Sequence, residues 1–142
     1  MSVEQNERGV DQAVRALNAR DWETYAGVFA ESLVTHAPGL PEPTKGRDAR
    51  VKYVQGIVEA FPDGRAEKKR SFGQGDWLCV ELMWIGTHKG PLLGPGGKTM
   101  PATNKGIRLP YCLVLKFEGG EITELREYFD QLEILTQLGL MP

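Results

Sequence analysis

The chain changes character once, around Asp63-Gly64, and that change narrows its folds more than any single motif does. Upstream, Val10, Ala13, Val14 and Leu17 recur at the i, i+3, i+4, i+7 spacing of one helix face, with polar residues between them. Asp21 is placed to cap a second helix in which Trp22, Tyr25, Val28 and Phe29 line up. Val51, Val54, Ile57, Val58 and Phe61 form a third stripe, which Pro62 ends. Downstream, Trp77 to Thr87 and Gly106 to Phe117 are rich in strand formers, with turns at Gly75-Asp76 and Glu118 to Glu121. Helices that each leave one apolar face to bury, followed by a mostly antiparallel sheet, predict an α+β fold with a curved sheet wrapped against helices.

Between the two strand-forming runs, Gly90 to Gly97 is too rich in Gly and Pro for regular structure. It reads as a long, mobile hairpin loop over a pocket mouth rather than a linker. A length of 142 residues suits one domain, residues 1–142, able to bury a core without staples.

Composition removes several functions. The 17 basic and 19 acidic residues nearly balance, and Lys68-Lys69-Arg70 is too short a run to track a nucleic-acid backbone, so no nucleic-acid partner is expected. Cys79 and Cys112 sit in apolar runs without CxxC spacing, the pattern of ordinary buried thiols rather than of a disulfide or metal pair. With only two histidines, far apart in sequence, no metal-ligand set is expected. The first residues lack an apolar leader core and no stretch is long enough to span a bilayer, which predicts a soluble, cytoplasmic protein without a membrane partner.

Residues Glu118 to Gly139 compress a tight turn, a strand, an acid and a short helix. The strand ends at Asp130, and the helix closes on Gln137-Leu138-Gly139. In this order the chain resembles the SnoaL-like polyketide cyclases of the nuclear transport factor 2-like superfamily. The likeness continues upstream through Val34-Thr35-His36, Gly46-Arg47, Ala60-Phe61-Pro62-Asp63, Gly75-Asp76, Gly86-Thr87-His88-Lys89-Gly90 and Gly119-Gly120. It implies a cone-shaped α+β barrel with a pocket between the helices and the concave face of the sheet. It also implies a homodimer, no cofactor, and a small hydrophobic oxygenated ligand or substrate.

The resemblance places an acid/base carboxylate at Asp130, while the superfamily's epoxide hydrolases point to the position of Glu127. Strand alternation puts Thr123, Leu125, Glu127 and Phe129 on one side and Glu124, Arg126 and Tyr128 on the other, so Asp130 joins Glu127 only if the strand end re-aims it. An aspartate before a short helix is equally a helix cap. His36 matches a pocket histidine able to donate to a substrate oxygen or enolate; the other reading is a histidine packed at a strand end before Pro38. His88 is expected to be exposed at a strand end.

Glu81 and Trp84 lie on opposite faces of one strand, so only one of them lines the pocket: a buried carboxylate or an indole that stacks on a planar substrate. Tyr25, Tyr111 and Phe129 complete the candidate binding set. Leu125-Arg126 stands where the resemblance often has a His-Trp pair. The C-terminal helix carries Leu132, Leu135 and Leu138 to close the cone or to meet a second subunit.

Three functions fit these residues. In the first, Asp130 moves a proton to make an enolate for intramolecular aldol closure, His36 stabilises the oxyanion, and the aromatics fold the chain to be cyclised. In the second, the cone holds a small hydrophobic molecule without turnover. Epoxide hydrolysis, the third, needs an Arg-x-Asp pair, and Cys79-Val80-Glu81 lacks the arginine.

Overall fold

The computed structural model describes residues 2–141. Helix α1 (Val3–Ala19) starts at a reciprocal cap in which Ser2 and Gln5 each satisfy the other's backbone N–H. Helix α2 (Trp22–Gly27) is capped by Asp21, as its position predicts, but ends before Phe29, which opens strand β1 (Phe29–His36). A two-residue strand β2 (Thr44–Lys45) leads into α3 (Arg47–Ala60). Then come β3 (Arg65–Gln74), β4 (Trp77–Thr87), a small hairpin β5 (Leu92–Leu93) and β6 (Thr99–Met100), β7 (Gly106–Glu118), β8 (Glu121–Tyr128) and α4 (Gln131–Gln137).

Six strands form one sheet in the order β2-β1-β8-β7-β4-β3. Only the β1/β8 pairing is parallel. The chain is therefore α+β, with helices laid on one face of a curved, mostly antiparallel sheet. Strand β3 goes unnoticed in the sequence because its exposed edge position lets charged residues such as Lys69 and Arg70 dominate it. The β7–β8 turn uses Gly119 and Gly120 at φ of 59° and 84°, the left-handed pair that a two-residue hairpin requires.

Alternation sets the core. Leu78, Val80, Leu82 and Trp84 of β4 are buried, and Ile107, Leu109 and Leu115 of β7 lie on the same side. A β-bulge in β8 pairs Ile122 with Phe117 and Glu124 with Lys116, leaving Thr123 as the extra residue. The bulge turns Ile122 inward along with Leu125 and Glu127, where strict alternation assigns the position to Thr123.

Strand β8 stops opposite Cys112, so residues 106–111 of β7 have no strand partner on that side, and Pro110 is tolerated there. Helix α4 covers that gap. The Gln137 Oε1 accepts the Arg108 N–H at 2.8 Å, and its Nε2 donates to the Arg108 carbonyl at 2.9 Å, as a neighbouring strand would. The buried side of α4 is formed by Ile134 and Leu138, while Leu132 of the expected leucine stripe is 59 % exposed. Among the described residues no helix is long and apolar enough to cross a membrane.

Candidate functional site

The helices and the concave face of the sheet enclose two adjoining chambers of about 40 and 90 Å³, which share Leu17, Arg50 and Tyr111 as lining residues. The inner one is almost wholly apolar, bounded by residues such as Val14, Phe29, Leu113 and Ile122. The second adds Tyr53, Trp84, Glu127 and Phe129. An outer basin of about 460 Å³ continues from it past Tyr53, Ile57 and Phe129, under the Pro91–Gly94 stretch and beside α4. The Gly/Pro-rich segment thus lies at the mouth.

One charged pair sits inside. Arg50, in the first turn of α3, and Glu127, near the end of β8, are both buried. The Arg50 Nη1 is 3.3 Å from Glu127 Oε1, and Nη2 is 3.4 Å from Oε2, a two-point contact. Nε donates to the Tyr25 hydroxyl at 3.3 Å, and the guanidinium lies 5.5 Å from the centre of the Tyr53 ring. Burial opposes the charge on Arg50, but Tyr25 and Glu127 more than offset it, so the guanidinium holds its proton above its usual range.

The phenols shift in the same direction but stay neutral. Burial first, and the negative charge of Glu127 second, raise Tyr53 and Tyr111 well above the ordinary tyrosine range, so both hydroxyls stay protonated and remain hydrogen-bond donors. The chamber therefore combines a carboxylate, a guanidinium and phenolic donors within an apolar wall.

The sequence candidates divide sharply. Tyr25, Trp84, Tyr111, Phe129 and Glu127 all line the two chambers. Glu81 lies on the outer face of β4, half-exposed, and pairs with Arg70 at 3.0 Å. His36 is a strand neighbour of Arg126, and the two share the outer face because Leu33 and Thr35 take the inward positions of β1. Arg126 pairs with Glu124 at 2.8 Å, away from Glu127. Asp130 is exposed and caps α4, its Oδ1 accepting the amide protons of Leu132 at 2.9 Å and Glu133 at 3.4 Å.

His88, expected to be exposed, is fully buried against Phe61 at the base of the mouth loop, and its Nδ1 accepts the Thr103 N–H at 3.2 Å. Cys79 and Cys112 are free, half-buried thiols on the outer face, 3.4 Å apart. Sequence reasoning passed over Arg50 and Tyr53. Arg50 left a signal, since it precedes Val54, Ile57 and Phe61 by 4, 7 and 11 positions and so stands as a cation on the apolar stripe of α3.

Helices packed on a curved, mostly antiparallel sheet around a buried ion pair define an α+β protein of the nuclear transport factor 2-like shape. Residues 8–138 match the SnoaL-like polyketide cyclases, and the chain belongs to that family. No curated protein matches it in sequence.

Solved structures share its shape. A protein assigned as a SnoaL-like polyketide cyclase from Jannaschia sp. CCS1 is 18 % identical with a TM-score of 0.85, over 100 % of this chain and 98 % of that one. IdmH, assigned as a polyketide cyclase in Streptomyces antibioticus, is 24 % identical with a TM-score of 0.80, over 95 % and 99 %. AclR from Streptomyces galilaeus, assigned as a hydroxylase, is 21 % identical with a TM-score of 0.84, over 99 % and 89 %.

Proposed function

We infer that the protein is a cyclase-type enzyme that uses acid/base chemistry, without a cofactor, on a hydrophobic oxygenated small molecule, and that Glu127 is the carboxylate that moves the proton. The observation that carries this reading is the buried, two-point Arg50–Glu127 contact opening onto an apolar chamber. Such a pair is weak support for a fold, since well-packed apolar residues of similar volume often serve as well or better. A charged group kept in a cleft among perturbed titratable neighbours is a feature that active sites recur to. In this reading Glu127 removes a proton next to a carbonyl, and the enolate attacks a second carbonyl of the same molecule. Tyr53 and Tyr111 donate to substrate oxygens, while Trp84 and Phe129 hold the chain folded for ring closure. Asp130 serves the helix, and His36 stands outside the chamber.

The non-catalytic alternative also has an observation in its favour, because Arg50 occupies both carboxylate oxygens of Glu127. A probe ketone separates the two readings. Deuterium exchange next to the carbonyl of 2-tetralone in D₂O, followed by proton NMR, is expected to be accelerated by the native protein. It should fall by about 10²-fold or more in Glu127→Gln, the range of a lost general base. Saturable ketone binding with no acceleration would leave the binding reading in its place.

A further inference from the structure

A guanidinium has five N–H bonds in a fixed plane, and Arg50 uses three of them: Nε to Tyr25 and one from each terminal nitrogen to Glu127. Among the described residues the remaining two N–H groups have no hydrogen-bond partner. They belong to a side chain only 5 % exposed, which lines both the inner and the middle chamber. The two contacts to Glu127 are also long, at 3.3 and 3.4 Å, against about 2.7–2.9 Å for tight charge-assisted bonds. Arg50 therefore has both unused donors and slack in the contacts it makes.

We propose that Arg50 is a substrate-contacting catalytic residue, one of whose two unpartnered N–H groups receives the carbonyl oxygen of the substrate and then the enolate oxygen formed from it. This rests on the reading of Glu127 as the proton-moving carboxylate and adds a second member to that site. The step balances within the chamber. The C–H bond next to the carbonyl breaks, its proton passes to the Glu127 carboxylate, and its electron pair becomes the C=C bond as the carbonyl π pair moves onto oxygen. Glu127 becomes neutral as the enolate becomes negative.

Arg50 is then the counter-ion in both states, first of the carboxylate and afterwards of the enolate. The buried net charge stays at zero throughout. The negative charge only shifts between two sites within reach of one planar cation, which avoids the large penalty of an unpaired buried charge. Because the receiving donor is fixed before reaction, no reorganisation is needed when charge develops on oxygen. The substrate class that matches is a neutral ketone with an acidic neighbouring C–H, bound oxygen-first toward Arg50.

The test uses 4-nitrophenol as an enolate mimic, since its yellow phenolate band reports the ionisation state of the bound molecule. Three full-length proteins are compared: the native chain, Glu127→Gln, and the double variant Arg50→Met/Glu127→Gln, which leaves no buried charge behind. The phenolate should bind saturably to the native protein and about 10- to 100-fold more tightly to Glu127→Gln, where the guanidinium is released from its carboxylate. In the double variant that affinity should fall by at least as much, the range expected for hydrogen bonds to a charged group. Thermal unfolding of each variant shows that the chamber is folded when the probe is added.

Binding of the neutral phenol alone to Glu127→Gln, no saturable binding to that variant, or equal phenolate affinity in the double variant would each overturn the proposal. Phenolate capture without ketone exchange would keep the Arg50 receptor and remove the catalytic reading of Glu127. Exchange without phenolate capture would do the reverse.

Discussion

Arg50 and Glu127 stand 77 positions apart and meet inside the cone, one guanidinium nitrogen on each carboxylate oxygen. The contact joins the first turn of α3 to the last inward residue of β8, so it ties the helical layer to the sheet at the point where the two chambers adjoin. Removing one partner strands the other as a buried charge. Arg50→Met should therefore destabilise the protein by about 3–5 kcal/mol, and Arg50→Met/Glu127→Leu should recover most of that loss. Urea unfolding of the two variants checks this, and a double variant no more stable than the single one would refute it.

Asp130 caps α4 through the Leu132 and Glu133 amides. Asp130→Ala should lower stability by about 0.5–2 kcal/mol, while Asp130→Asn, itself a good cap, should lower it far less. Equal losses in thermal unfolding would show that the charge of Asp130, rather than its capping oxygen, is what the fold uses.

Gly64 lies against the indole of Trp84, and a Cβ at that position would run into the ring edge and the Phe61 carbonyl. Overpacking of this kind costs about 1–3 kcal/mol. Gly64→Ala should also push the indole toward the middle chamber and weaken ketone binding there. A variant with native affinity in a calorimetric titration would mean that the strain relaxes elsewhere.

His88 anchors the mouth loop as a neutral ring. Its Nδ1 accepts from Thr103, while its backbone bonds Lys105 and Asn104. Burial holds its pKa below the ordinary 6.5. Because the folded value lies below the unfolded one, the stabilisation is complete above about pH 6.5 and is lost as pH falls from there through the depressed folded value. Lys89 follows the ring in sequence, and Lys105 lies across from it, its carbonyl accepting the His88 N–H. Asp63, held below the usual carboxylate range by the Thr87 backbone and side chain, stays charged across that window. Amide exchange at Thr103 and Asn104, corrected for intrinsic rates, should be faster near about pH 5.5 than near about pH 7.5, and equal protection at both would contradict the anchor.

Much of the fold could be read from periodicity, because the stripes of α1 and α3 and the alternation of β4 follow directly from what each element must bury. The facing of Glu127 and Arg126 was likewise legible in β8, where parity alone separates them. The polar strand β3 was not legible, since an edge strand gains its pairing from a neighbour that no local pattern reveals. His36 and Thr35 show how one residue of register decides a role: the inward position went to the threonine. Asp130 satisfies a helix cap and a catalytic acid with the same residue type in the same place, and only the geometry of the first turn of α4 distinguishes them. Arg50 was hidden by its type, as a cation on an apolar stripe reads as a solvated interruption until the partner carboxylate arrives from 77 residues away.

The most direct test compares two carboxylates in one assay, the deuterium exchange of 2-tetralone catalysed by Glu127→Gln and by Asp130→Asn beside the native protein. If the interior pair does the chemistry, Glu127→Gln loses about 10²-fold or more of the acceleration while Asp130→Asn keeps it within a few-fold. Loss in Asp130→Asn with full exchange in Glu127→Gln would contradict that assignment and return the acid/base role to the end of the strand.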